Sequence, residues 1–342
     1  MNITAASCTF PAGPGIALAG IALDAQMALN RRHPFYVDRC GSPVRASFFP
    51  QPAAFDATRW VEMALAALTD LQQQLPPAQN AADYHLWLVL PPASRAGVPA
   101  NLDETLFAAI QDAPFRLASV SLIRGGHAAP VQALHQAGQF LQQQPGHVRQ
   151  AAIVLALDSW LHPAALAWLE DEHLLHGAGK PYKGTARRNP YGRIPGEAAA
   201  AVMLTLSGPA WCRILGAGAA AEMIPRGDDR PCIGLGWTQA AQQALAKLPA
   251  ERKITHIISD LNGEPYRADQ FGFTALRISG RLIDNWQRHT PALVSGDVGT
   301  ASALLHVALS ANLLRQPEQN GQTHLLLASS DDNLRAAMIL AS

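Results

Sequence analysis

Unbroken apolar runs, rather than alternating ones, set the first limit on how this chain can fold. Residues 84–90, 117–123, 151–157, 198–206, 254–259, 324–328 and 336–340 are short candidate strands, several of them apolar without alternation. Runs of that length read as strands, and strands without alternation are covered on both faces, as in the central sheets of α/β proteins. Segments with a 3.6-residue apolar period lie between them, at 59–75, 128–143, 163–175, 238–248 and 301–314. In the first, Trp60, Met63, Ala64, Ala67, Leu68 and Leu71 share one helix face. The glutamine tracts at 72–77 and 142–145 end at proline and read as helix exits, whereas 180–196 and 225–231 read as loops. The alternation predicts an α/β protein with a soft boundary at 207–209, between two strand-like runs.

Composition narrows the class. Of 342 residues 49% are hydrophobic and only 15% charged, which suits a large buried core and excludes a disordered chain. Lysine and arginine total 26, aspartate and glutamate 26, so the balance leaves no electrostatic footprint for nucleic acid or an anionic membrane. The basic residues between Lys180 and Arg193 read as a solvated loop. Cys8, Cys40, Cys212 and Cys232 form no CxxC pair, so neither a zinc site nor a disulfide framework is expected. The N-terminus lacks a basic region followed by an apolar stretch and cleavage site, and 151–157 is too short to span a bilayer, so a cytoplasmic protein is expected.

Several segments carry candidate chemistry. Arg124-Gly-Gly-His127-Ala-Ala joins a strand to a helix, and Asp158-Ser159 ends an apolar strand. Ile194-Pro-Gly-Glu197 precedes an alanine-rich strand. Ser259-Asp260-Leu-Asn262-Gly-Glu264 and Gly296-Asp297-Val-Gly299 each follow an apolar stretch, and Ser329-Ser-Asp-Asp332-Asn333 precedes the last strand. In order and spacing these resemble the β-ketoacyl synthases of the thiolase-fold superfamily, from about residue 40 to the end. The resemblance implies a five-layer αβαβα fold of two similar halves, 1–207 and 208–342. It also implies a dimer, homo- or heterodimeric, through the sheet edge of the first half, and no cofactor or metal.

The resemblance places His127 at the family's nucleophilic cysteine, and Asp260 and Asp297 at its two histidines. Condensation needs a thiolate to hold the acyl group and two imidazoles to manage protons. An imidazole is a poor acyl carrier, and an ionised aspartate repels a developing enolate or oxyanion. Two carboxylates close to His127 would favour its imidazolium over the opposing pull of a helix N-terminus. No catalytic residue is therefore expected; His127 reads as a polar plug tied to Asp260 or Asp297. Glu197, Asn262, Glu264, Arg267 and Asp332 are candidate loop or contact residues, with Glu264 and Arg267 an internal ion pair.

Other residues have plainer readings. His173 and His176 read as a solvated helix end rather than a metal site, Trp160 and Trp168 as core, and Arg335 as a structural partner of Asp331 or Asp332. The Asp-Leu-Asn-Gly-Glu and Gly-Asp-Val-Gly runs further resemble thiolase-like proteins of type VI secretion clusters, which implies a non-catalytic adaptor or chaperone with a protein partner such as an effector. The alternatives are a chain-length-factor-like partner of a ketosynthase and a divergent acyl-thioester enzyme using His127, Asp260 and Asp297.

Overall fold

The computed structural model describes residues 1–49, 54–75, 83–143, 151–182 and 185–342, apart from the side chains of 180–182 and 185–187. The chain begins with β1 (Asn2–Phe10), β2 (Gly13–Pro14), α1 (Ile16–Asp24) and a hairpin of β3 (Arg31–Val37) and β4 (Pro43–Ala46). It continues through α2 (Ala57–Gln73), β5 (Tyr84–Leu90), α3 (Leu102–Ile110), β6 (Leu117–Arg124), α4 (Ala129–Gln143), β7 (Ala151–Ser159) and α5 (Pro163–Asp171). A hairpin of β8 (Gly179–Tyr182) and β9 (Thr185–Arg188) leads to β10 (Glu197–Thr205). Then come β11 (Cys212–Ala221), α6 (Leu235–Leu245), β12 (Ile254–Ser259), α7 (Pro265–Arg277) and β13 (Leu282–His289). The chain closes with α8 (Ala292–Ser295), α9 (Ser302–Leu314), β14 (Thr323–Ser329) and β15 (Leu334–Ala341).

One strand pattern occurs twice. Along the sheet the order is β13-β12-β14-β15-β11-β1-β10-β7-β5-β6. On one side β6, β5 and β7 are parallel, and β10 and then β1 run antiparallel to their neighbours. On the other, β13, β12 and β14 are parallel, with β15 and then β11 antiparallel. The two sets meet where Asn2 and Ile3 of β1 pair with Arg213 and Cys212 of β11.

Layering follows from which faces are apolar. Leu86, Leu88, Ile153 and Leu155 pack outward on α2 and α3, while Val89, Val154 and Ala156 pack inward with α4 and α9. In the second set Ile257, Leu325 and Ile339 face α6 and α7, whereas Ile258, Leu326 and Met338 join the inner core. The result is helix, sheet, helix, sheet, helix: five layers with α4 and α9 in the middle. Helix α9 is buried on nearly every side, as a helix apolar all round must be.

Differences from the sequence reading have local causes. β11 carries Gly216, Gly218 and a run of alanines, and β13 reads Leu-Ile-Asp-Asn-Trp-Gln-Arg-His, so neither resembles an apolar run. The N-terminal β1 is buried at the middle of the sheet, although the sequence resemblance there was loose. Helix α5 ends at Asp171 and His173 takes a positive φ, so His173 and His176 do not share a helix face. The helix exits expected at 72–77 and 142–145 lie partly outside the described residues.

Candidate functional site

Backbone bonds first bring the motif segments together. The Pro-Gly-Glu turn and the Gly-Asp-Val-Gly loop are joined by Gly196 N–H to Asp297 O (2.8 Å) and Asp297 N–H to Ile194 O (2.7 Å). A side chain at Gly196 would collide with the carbonyl of Ser295, so only glycine permits this approach. Glu197 is fully buried and clamped by Arg59, whose Nε lies 2.8 Å from Oε2. It fastens the turn and is not a surface contact.

His127 sits where β6 turns into α4 and is 2% exposed. Its Nε2 lies 2.8 Å from Asp297 Oδ1. A carboxylate only accepts, so this nitrogen donates. Asp297 also accepts from Gly299 N (2.8 Å) and from Asn262 Nδ2 (2.6 Å), and lies 3.5 Å from Arg193 Nη1. Burial alone would raise its carboxyl pKa, but the charges on His127, Arg193 and Arg267 outweigh burial and hold it well below the usual range.

The second expected carboxylate is engaged elsewhere. Asp260 Oδ2 accepts from Arg267 Nη1 (2.6 Å) and Ser329 N (2.7 Å) rather than meeting His127. Arg267 lies between them, with Nη2 3.5 Å from His127 Nε2; two donors at that distance are neighbours, not bonded partners. The plug therefore has one carboxylate partner, Asp297, and a guanidinium at its side.

Around this pair lies an ionic cluster that motif reading only partly found. Arg193 is fully buried; its Nη2 is 2.6 Å from Glu264 Oε1 and 2.9 Å from Asp331 Oδ1. It is not part of a solvated loop: three carboxylates surround it and, against the opposing effect of burial, raise its pKa further. Arg226 Nη1 reaches Glu264 (3.2 Å) and Asp331 (3.4 Å), and Arg267 Nε reaches Glu264 (3.3 Å). Three guanidinium groups thus face four carboxylates, one of which, Asp297, also holds the His127 ring. Glu264 and Arg267, both buried, are members of this network and not an exposed contact. Asp332 is exposed and accepts from Leu334 N (2.8 Å). Arg335 pairs with neither Asp331 nor Asp332 through their carboxylates; it donates to Gln270 Oε1 (2.7 Å), Tyr266 Oη (2.9 Å) and backbone carbonyls.

The head of α4 is closed by the loop after β14. Ser330 Oγ accepts from Ala128 N at 3.0 Å, and Gly126 lies so close that a Cβ there would be 2.8 Å from the Ser330 Cβ. The helix N–H that could stabilise an oxyanion is therefore already satisfied. Behind the site His306 of α9 is fully enclosed. Burial pushes its pKa down to about 4, and its Nδ1 has no hydrogen-bond partner among the described residues. No motif signalled it.

A cleft of about 250 Å³ opens over His127, walled by Pro91, Pro92, Arg95, Trp160, Trp168 and Thr300. That is below the usual size of a small-molecule pocket, roughly 300–1,000 Å³. Trp160 and Trp168 stack 5.9 Å apart, and Arg95 covers Trp160 at 3.9 Å while pairing with buried Asp158 (2.7 Å). Packing, as the sequence suggested, fixes the tryptophans, yet both also line this cleft. Among the described residues no three His, Cys, Asp or Glu side chains are arranged to hold a metal ion, and no helix is long and apolar enough to cross a membrane.

Comparison with solved structures identifies the architecture. A type II PKS acyl-carrier protein in complex with its ketosynthase bound to the hexaketide matches with a TM-score of 0.78 at 12% identity, over 100% of this chain and 98% of that one. The ishigamide ketosynthase/chain length factor matches at 0.69 and 17% identity, over 99% and 98%. The ketosynthase from module 6 of the bacillaene synthase from Bacillus subtilis 168 matches at 0.75 and 12% identity, over 99% and 71%. The chain has the thiolase-like fold of these ketosynthases. No protein-family model matches the sequence, and no curated protein does.

Proposed function

We propose that this chain is a non-condensing subunit on the ketosynthase scaffold, pairing with another protein as a chain length factor does with a ketosynthase. One observation carries the reading: where a reactive thiol would stand, His127 is hydrogen-bonded to buried Asp297, and the adjacent helix N–H is taken by Ser330. Acyl transfer needs a free nucleophile and an open set of donors. Here both places are filled by internal bonds. A ketosynthase/chain length factor among the structural neighbours supports the same reading.

The reading divides the chain into halves 1–207 and 208–342, places it in the cytoplasm and has it dimerise through β6. That strand is an edge, and it carries no charge from Leu117 to Ile123. The opposite edge, β13, is guarded by Asp284 and Arg288. An uncharged edge invites a partner strand.

A second reading, an adaptor of the kind serving type VI secretion, is favoured by exposed Leu18, Ile21, Met27 and Leu293, a group of apolar side chains outside β6. Co-expression with a ketosynthase and acyl carrier protein tests the first reading. A stoichiometric complex whose product length depends on this chain supports it; co-purification with a secreted effector instead supports the second. Turnover of an acyl thioester that disappears in His127→Ala would overturn both and make the chain an enzyme.

A further inference from the structure

A second set of imidazoles lies away from the charge cluster, on three neighbouring strands. His256 of β12 stacks on His289 of β13 with ring centroids 5.3 Å apart, and lies 4.5 Å from His324 of β14. His256 and His324 are register partners, and two residues on from each are Ile258 and Leu326 of the inner core. Alternation therefore turns both rings toward the central helix layer. His324 is fully buried; its Nδ1 meets Ser310 Oγ of α9 at 2.7 Å, and its Nε2 has no partner. The Nε2 of His289 is likewise enclosed and unpartnered. His256 Nδ1 lies 2.9 Å from Thr255 Oγ1, a hydroxyl that donates to Thr323 O.

The stack adjoins a corner of the molecule. β13 ends at His289 and α8 starts three residues later. The chain beyond α1 is tied there by Leu29 N–H to Val294 O (3.2 Å). Asp24, the last residue of α1, is the acidic group that bears on His289. The rings overlap instead of converging on a point, which suits mutual packing and not a shared ion.

We propose that His256, His289 and His324 form an acid-sensitive latch. As neutral rings they pin β13 and the α1–α8 corner; once protonated they set like charges in ring contact at the margin of the core, two half-buried rings against buried His324, and release that corner. The energetics run in that direction. Burial and then the neighbouring imidazoles push His256 down to about 4 and His324 to about 3, and burial lowers His289 against the pull of Asp24. Opened, the rings return to an ordinary value near 6.5, so the open form binds more protons between pH about 6.5 and 4. Opening is insensitive to pH above that window and grows as pH falls through it. His256 alone accounts for about a thirtyfold rise between pH 8 and pH 5. Asp297 and Asp331 titrate below this range, whereas His306 falls inside it and serves as the control.

Hydrogen–deuterium exchange at pH 8 and pH 5, corrected for intrinsic rates, tests the latch. In the wild type, protection of residues 16–29 and 282–296 falls at least about thirtyfold while that of α2 changes little. The fall persists in His306→Gln, is reduced about thirtyfold in His256→Gln and is reduced by a smaller factor in His289→Gln. If His256→Gln fails to fold, His289→Gln, at a partly exposed position, carries the test. An equal loss in α2, or an unchanged fall in the latch variants that fold, overturns the proposal. So does thermal stabilisation by zinc at pH 8 that His256→Gln or His289→Gln removes, because the stack would then be a metal site.

Discussion

Arg267 is the residue on which the plug turns. Its guanidinium touches Asp260, Glu264 and Asp331 and lies beside His127, all within a site almost closed to water. Removing one partner of a buried ionic network strands the others. Arg267→Met should therefore cost about 3–5 kcal/mol, although methionine fills much of the same volume. The midpoint of urea unfolding measures this, and a loss under about 1 kcal/mol would mean the cluster is peripheral to stability. The same network fixes an acid limit. Arg193, Arg267 and other nearby cations overcome burial and hold the Glu264, Asp297 and Asp331 carboxyls below their unfolded values of 4.5, 3.8 and 3.8. The unfolded chain thus takes up protons first, so this stabilisation is complete above pH about 4.5 and erodes below it. Stability should therefore decline as pH falls through about 6.5, where the unfolded chain begins to take up protons that half-buried His256 and buried His306 and His324 refuse. It should fall more steeply below about 4.5, as urea unfolding across pH would read. The sequence disclosed only part of this centre. His127, Asp260, Asp297 and Asp331 stood in recognisable runs, but Arg193 and Arg226 come from loops without periodicity, and their meeting with the carboxylates is a tertiary event.

Among the elements, β6 makes the most specific demand. Among the described residues it pairs with β5 alone, and its outward row of N–H and C=O groups lies beside exposed Leu122. Leu122→Lys places a charge on that edge and should weaken the proposed dimer, with a second copy or with another subunit, at least tenfold, while the monomer keeps its stability within about 0.5 kcal/mol. Light scattering across a dilution series reads the first quantity and urea unfolding the second; an unaltered dimer would move the interface elsewhere. Legibility varied by element for the same physical reason. Strands that are largely buried and mostly apolar, such as β5 and β12, were found to the residue. β11 packs closely against α6 at Gly216 and Gly218, so it needs small residues, and the edge strand β13 needs charges; both requirements erase the apolar signal. Helices with one apolar face, such as α2 and α4, were within two residues of their ends, but α7 has too polar a face to stand out.

At the scale of the molecule, the repeated strand order suggests two units, yet the core does not divide that way. One cluster of buried side chains runs from β1, β7 and β10 through α4 and α9 to β14 and β15. Helix α4 belongs to the first set of strands and α9 to the second, and each covers part of the other's inner face. A fragment ending near residue 207 would expose the inner faces of β1 and β10, which α9 covers, and one starting at 208 would leave α9 without α4. Exposing even a dozen core side chains costs about 1.5–3 kcal/mol each, more than the 5–15 kcal/mol by which a domain is usually stable. Fragments 1–207 and 208–342 should therefore each lack a cooperative transition when made alone. Mixed, they should regain one, and the intact chain should unfold in a single step by circular dichroism and tryptophan fluorescence together. A separately folded fragment, or two resolved steps in the intact chain, would show that the halves are domains in the thermodynamic sense and that α4 and α9 meet only as neighbours.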